Sequence, residues 1–134
     1  MSPLRTFIVE DSAIILDNLV ATLEELADVK VVGAVPDEKS ALAWIDGAAD
    51  AVDLIIIDIF LKSGSGLGVL RAVQEAGLSA RRVVLTNYAT PDIRKRCAAL
   101  GADRVFDKSG ELEDLIEYCG RMADGTVTAA GELR

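Results

Sequence analysis

Leu54-Ile55-Ile56-Ile57-Asp58 is the stretch on which the fold turns. Four aliphatic residues in succession, three of them β-branched, predict a strand buried on both faces. The run ends on a carboxylate and passes through Ile59-Phe60-Leu61-Lys62 into Gly64-Ser65-Gly66. A strand covered on both faces can expose an acid only at its end, and open α/β sheets bind ligands at the carboxyl ends of their strands. Asp58 is therefore a candidate functional acid.

Upstream, Thr6 to Val9 predicts a short apolar strand that ends on Glu10-Asp11. Ser12 can cap a following helix whose buried face is Leu16, Leu19, Val20, Leu23 and Leu26. Val29 to Val35 is a second strand closed by Pro36, and Asp37 opens a helix through Asp46 with Leu42 and Ile45 inward and Gly47 as its stop. Trp44 is expected to pack on this helix rather than stack on a ligand. Downstream, Gly64 to Gly68 leads into a helix with Leu67, Leu70 and Val73 inward, ending at Gly77. Arg82 to Thr86 is a fourth strand that finishes on a hydroxyl. Thr90-Pro91 gives an N-cap and a first-turn proline, so a helix runs from Pro91 to Leu100 and stops at Gly101. Arg104 to Asp107 is a fifth strand, followed at once by Lys108; Glu111 to Met122 is a last helix burying Leu112, Leu115, Ile116 and Cys119. Five strands alternating with five helices predict an α/β domain with a doubly wound parallel sheet. This domain spans residues 1–122, and residues 123–134 are expected to be a short flexible tail without an output domain.

Composition agrees and excludes several function classes. The 134 residues make one domain, and a hydrophobic fraction of 51% with only 4% aromatics predicts an aliphatic core. Fourteen basic against 22 acidic residues give a net charge of −8, which argues against direct nucleic-acid binding, since such binding neutralises phosphates. Metal ions, cationic groups or another protein suit this surface better. No apolar run approaches the ~20 residues of a membrane span, and the N-terminus lacks the layout of a signal peptide. Two cysteines and no histidine make neither a disulfide framework nor a zinc site. A cytoplasmic location is expected.

In a parallel sheet, Glu10, Asp11, Asp58 and Thr86 converge on one edge, with Lys108 beside them. Clustered carboxylates repel one another unless a cation joins them, and oxygen ligands without histidine or thiolate suit Mg²⁺. Taken singly, each residue reads blandly: Glu10 or Asp11 as a helix N-terminal acid, Thr86 as a strand-end hydroxyl, Lys108 as a solvated lysine. Jointly they form a site in which a metal, an ammonium and a hydroxyl surround one carboxylate, as phosphoryl transfer requires. Asp58 is then a candidate nucleophile.

Phe7-Ile8-Val9-Glu10-Asp11-Ser12, Leu54-Ile55-Ile56-Ile57-Asp58, Gly64-Ser65-Gly66-Leu67, Val84-Leu85-Thr86-Asn87, Gly101-Ala102-Asp103 and Asp107-Lys108 together resemble a receiver domain of a two-component response regulator over roughly residues 4 to 122. The resemblance implies a flavodoxin-like sheet and Mg²⁺ held by Glu10, Asp11, Asp58 and the Phe60 carbonyl. It also implies phosphorylation of Asp58 by a histidine kinase or phosphotransfer protein, with Thr86 and Lys108 contacting the phosphoryl group. Such a protein is a signalling phosphoacceptor rather than an enzyme acting on other substrates.

The chain departs from the family at several positions. Ser109 stands where a proline in a cis peptide commonly follows the lysine, so a trans bond is expected here. Val105 occupies the usual switch-aromatic position, and Phe106, one residue later, should point to the other face of its strand. Lys62 replaces a common proline, and Asn87 a smaller residue. Phe60 and Tyr88 lie two residues beyond Asp58 and Thr86, where family side chains flank the path of the attacking water; their bulk is expected to slow loss of the phosphoryl group, or else both simply pack on the loop.

The helix from Pro91 carries Arg94, Lys95 and Arg96, and the last helix carries Glu111, Glu113, Asp114 and Glu117. The resemblance implies a dimerisation face over residues 91–122, where complementary charge would support a phosphorylation-favoured homodimer; solvated faces are the blander reading. Ile14 and Ile15 offer an apolar contact to a kinase or phosphotransfer partner, or else core packing for one of them. Two rival readings are an aspartate-nucleophile phosphatase and a flavodoxin-like nucleotide-binding module. The first wants an acid where Phe60 stands. The second would use Gly64 to Gly68 as a phosphate loop, but that stretch follows the third strand rather than the first.

Overall fold

The computed structural model describes residues 3–48 and 52–125. Strands β1 (Leu4–Val9), β2 (Val29–Val35), β3 (Leu54–Ile57), β4 (Arg81–Thr86) and β5 (Arg104–Asp107) form one parallel sheet in the order β2-β1-β3-β4-β5. Helices α1 (Ala13–Leu26), α2 (Glu38–Ala48), α3 (Gly66–Glu75), α4 (Pro91–Ala99) and α5 (Leu112–Asp124) alternate with them. This is the doubly wound architecture that the sequence predicts.

The central strand explains the two layers. Its side chains alternate, so Leu54 and Ile56 meet Leu19 and Leu23 of α1 and Leu115 and Cys119 of α5. Ile55 and Ile57 meet Ala41 and Ile45 of α2, Val69 and Val73 of α3 and Cys97 of α4. All four strand residues are at most 1% exposed, and each such burial stabilises by roughly 1.5–3 kcal/mol. β1 slips register between Thr6 and Phe7, which sets Phe7 opposite Gly33 of β2. The Phe7 ring lies where a side chain at position 33 would crowd it, and it stacks on Trp44 with centroids 3.7 Å apart. Trp44 therefore packs, as expected.

Two helix starts follow the predicted caps, Ser12 and Thr90, and Ser65 adds a third that the sequence reading does not name. Ser12 Oγ accepts from the Ile15 amide at 3.3 Å, Ser65 Oγ from Leu67 at 3.1 Å, and Thr90 Oγ1 from Ile93 at 3.2 Å. Helix ends differ more. Gly47 does not stop α2, which continues to Ala48; a glycine within a helix lowers its propensity without breaking it. Leu26 is 63% exposed rather than buried, because α1 stops there and Ala27 leaves in an extended conformation. Val69 and Tyr118 are core residues that periodicity alone did not single out, while Leu67, Leu112 and Ile116 are only partly buried. Ile14 and Ile15 are both exposed, so neither packs in the core. The domain boundary at residue 122 falls inside α5, which runs to Asp124 and is capped by left-handed Gly125 (φ 83°). The rest of the expected tail, 126–134, lies outside the described residues. No helix among those described is long and apolar enough to cross a membrane.

Candidate functional site

The site follows from strand register. Val9 of β1 pairs with Ile57 of β3, so the next residues, Glu10 and Asp58, leave the carboxyl edge side by side. β1 has β2 on one side and β3 on the other, the point at which open sheets part and form a crevice. The Asp58 amide donates to Val9 O and the Glu10 amide to Val35 O, each at 3.0 Å, so both backbones are held as they leave the sheet. Glu10, Asp11 and Asp58 each bring one carboxylate oxygen to within 4.8 Å of the others. Glu10 and Asp58 are buried, at 4% and 7% exposure, and Asp11 is half-buried.

Lys108 enters this cluster from beyond β5. Its amide donates to Thr86 O at 2.9 Å, and its Nζ lies 2.6 Å from Glu10 Oε1 and 3.0 Å from Asp58 Oδ2. Burial pulls the ammonium's pKa down, but the hydrogen bonds and charges of Glu10 and Asp58 outweigh it and hold the pKa above the usual lysine value. Three carboxylates against one ammonium leave two negative charges in a crevice walled by β-strand ends. That oxygen-only donor set fits a hard divalent cation.

The loop after Asp58 is fastened to the acids. The Phe60 amide donates to Asp58 Oδ1 at 3.3 Å, and the Lys62 amide to Asp11 Oδ2 at 2.6 Å. Gly66 has no room for a side chain, since an added Cβ would overlap the Asp58 carbonyl oxygen. The Gly64 to Gly68 stretch is thus a tight helix entry against the site's own backbone, and the phosphate-loop reading gains nothing from it.

Thr86 is fully buried at the end of β4, two residues past Val84, which pairs with Ile57. Its Oγ1 accepts from the Tyr88 amide at 3.3 Å. The exposed rings of Phe60 and Tyr88 meet edge to face, 5.0 Å apart, joining the loops that follow Asp58 and Thr86. Val105 and Phe106 face opposite sides as predicted: Val105 packs toward α4, and Phe106 is buried against Tyr118 on the α5 side. There is no cis peptide among the described residues. Instead of a proline, Asp107 holds the turn after Lys108, accepting from the Ser109 hydroxyl and amide; these bonds lower its pKa below the usual aspartate value.

Arg94 and Glu111, expected on an intermolecular face, are engaged within the chain. Arg94 donates to Ala89 O, Val105 O and Glu111 Oε1 at 3.0, 2.9 and 2.7 Å, and Glu111 Oε1 also accepts from the Asp107 amide. Lys95, Arg96, Glu113 and Asp114 remain exposed. Sequence reasoning did not identify this bracket, because only the fold brings together its two carbonyl oxygens and the Glu111 carboxylate.

The family model described as "Response regulator receiver domain" matches residues 6–119. The chain belongs to the response regulator receiver family. It is 29% identical over 130 residues to an uncharacterized transcriptional regulatory protein of Bacillus subtilis, YvfU, covering 97% of this chain and 64% of that relative. It is 33% identical to protein-glutamate methylesterase/protein-glutamine glutaminase 5 of Myxococcus xanthus, covering 99% of this chain and 38% of that one. The chain thus spans less than two thirds of the length of these relatives. The receiver domain of the response regulator NarL from Mycobacterium tuberculosis has the same fold, with a TM-score of 0.81 at 22% identity over 93% of this chain and 99% of that one. Receiver domains act in two-component signalling with histidine kinases or phosphotransfer proteins, and use Mg²⁺ at an acidic site.

Proposed function

We propose that this receiver accepts a phosphoryl group on Asp58, with Thr86 and Lys108 contacting that group and Glu10, Asp11, Asp58 and the Phe60 carbonyl holding Mg²⁺. The observation that carries the reading is the Lys108 ammonium bridging Glu10 and Asp58 inside a three-carboxylate cluster. When bound, the ion neutralises phosphoryl oxygens and helps hold the donor in line. Asp58 attacks phosphorus with a carboxylate oxygen. The bond from phosphorus to the donor nitrogen or oxygen breaks, and its electron pair leaves with the donor. Lys108, 3.0 Å from Asp58 Oδ2, is close enough to stabilise charge on the transferred oxygens. Thr86 can give its hydroxyl proton to the same group, since among the described residues its Oγ1 serves as an acceptor, for the Tyr88 amide. Phosphorylation then signals by conformational change rather than by turnover of another substrate.

For the phosphodonor partner, exposed Ile14 and Ile15 beside the site provide an apolar contact. Ile15 also lines a hollow of about 300 Å³ that reaches Lys108. A homodimer through residues 91–122 is proposed on the exposed charges Lys95, Arg96, Glu113 and Asp114, with Arg94 and Glu111 already paired internally.

The test is incubation with Mg²⁺ and acetyl phosphate followed by intact mass. A single phosphate adduct in the native chain, absent from Asp58→Asn, is expected. An adduct that persists in Asp58→Asn, or none in either protein, overturns the reading.

A further inference from the structure

We infer that Glu38, on the neighbouring helix α2, is a positioning residue for the loop that follows Asp58, and through it for the metal site. The inference rests on the function proposed above. Glu38 is the first residue of α2, whose N-cap position is Asp37. Its side chain leaves its own helix, and its Oε1 accepts from the Ser65 amide at 2.8 Å across 27 residues of sequence. Ser65 is the N-cap of α3, a helix with no acid in its own first turn. Glu38 therefore supplies, from another helix, the negative charge that the positive end of α3 favours.

The glycines around it are shaped by that carboxylate. A Cβ at Gly64 would overlap Glu38 Cβ, and a Cβ at Gly68 would overlap Glu38 Oε2. The spacing Gly64-x-Gly66-x-Gly68 thus has a physical basis. Its outer members admit Glu38, and its middle one admits the Asp58 carbonyl. The backbone adds a second tie, the Glu38 amide donating to Ser63 O at 3.4 Å.

Besides the Phe60 amide's bond to Asp58 and the Glu38 amide's bond to Ser63 O, the loop from Ile59 to Ser65 is pinned at three more points. The Gly66 amide donates to Ile59 O at 2.9 Å, which closes the loop on itself. The Lys62 amide binds Asp11, and the Ser65 amide binds Glu38. Of these, the Asp11 tie uses a carboxylate that the metal would also claim. Glu38 is the anchor that stays independent of the ion. Without its carboxylate, the far end of the loop carrying the Phe60 carbonyl keeps only backbone ties, from the Glu38 amide to Ser63 O and from the Gly66 amide to Ile59 O. Loss of an outer residue that orients metal ligands typically costs about 10–100-fold in metal affinity or activity; Glu38 reaches only the loop, so its effect is expected in affinity.

The test compares Mg²⁺ affinity, measured by calorimetry on the full chain, with phosphorylation by acetyl phosphate across a Mg²⁺ series. For Glu38→Ala, affinity should fall roughly tenfold, the lower end for loss of an outer-shell partner. The apparent Mg²⁺ constant for phosphorylation should rise by the same factor, and the rate at saturating Mg²⁺ should stay close to the native rate. Glu38→Gln keeps an oxygen acceptor for Ser65 and should recover most of the affinity. Gly68→Ala, which displaces the carboxylate, should reproduce the Glu38→Ala effect, and combining the two should add nothing. Native Mg²⁺ affinity in folded Glu38→Ala overturns the inference, as does a loss confined to the saturated rate or an additive double variant. If Glu38→Ala fails to fold, Gly68→Ala with native affinity overturns it instead. Failure of the native chain to take phosphate at all would count against the proposed function, a separate result.

Discussion

Replacing Lys108 by methionine isolates the electrostatics of the site. The substitution keeps most of the side chain's length and removes only the cation that joins Glu10 and Asp58, whose side chains are 3% and 8% exposed. Carboxylate oxygens within 4.8 Å of each other repel by about 3.5 kcal/mol at an effective dielectric constant of about 20. This agrees with the roughly 3–5 kcal/mol typical of removing one partner from a buried ion pair. The expected loss is a large share of the roughly 5–15 kcal/mol available to a domain. Urea unfolding of native and Lys108→Met protein measures it directly. A further signature separates this cause from a packing defect. A divalent cation that binds only the folded state should restore stability, by more in the variant than in the native protein. The native lysine also has a pH signature. Its pKa is raised in the fold, so its contribution is complete below about 10.5 and is lost as pH climbs through the raised value; the variant should lack that alkaline loss. A Lys108→Met protein as stable as the native one, or one whose deficit ignores Mg²⁺, would refute the reasoning.

Three other outcomes are expected. Phe60→Asn should hasten decay of the phosphorylated protein by opening the edge-to-face contact with Tyr88, measured as loss of the mass adduct with time; an unchanged half-life would remove the aromatic pair from any role in persistence. Gly120→Ala, where an added Cβ meets nothing within 4 Å inside α5, should stabilise by about 0.5–1 kcal/mol, whereas Gly66→Ala should destabilise, because its Cβ would overlap the Asp58 carbonyl; chemical denaturation of both variants reverses or supports that order. Cys119 is fully buried and its pKa is pushed up to about 12 by desolvation, so it should resist thiol reagents in the folded protein at neutral pH; rapid native-state labelling at position 119 would contradict the burial.

The sequence made most of the site legible because its residues sit where strand patterns stop. Asp58 ends an unbroken aliphatic run, Glu10 and Asp11 end another, and Thr86 and Lys108 follow two more, so any parallel sheet brings them to one edge. Strand order was not readable from periodicity; it came with the family resemblance and is what makes Glu10 and Asp58 immediate neighbours. Legibility failed where a residue's role depends on a distant partner. Nothing in the sequence singles out Glu38, and only the fold carries its carboxylate to Ser65. Arg94 looked like a surface cation, yet three oxygens from other elements hold it. Leu26 and Gly47 were misread for a simpler reason. Periodicity and propensity do not report where the underlying sheet ends, or whether packing overrides a weak helix former. Val105 and Phe106 show the converse case: alternation along a short strand was enough to place them on opposite faces.

The most direct measurement is the chemical location of the phosphoryl group. Protein treated with Mg²⁺ and acetyl phosphate is reduced with borohydride, which converts an aspartyl phosphate to homoserine, and is then digested and sequenced by mass spectrometry. Homoserine at residue 58 alone, formed only in phosphorylated samples, is the expected result. Reduction at Asp11 or at another acid, with residue 58 intact, would contradict the assignment of Asp58 as the phosphoacceptor.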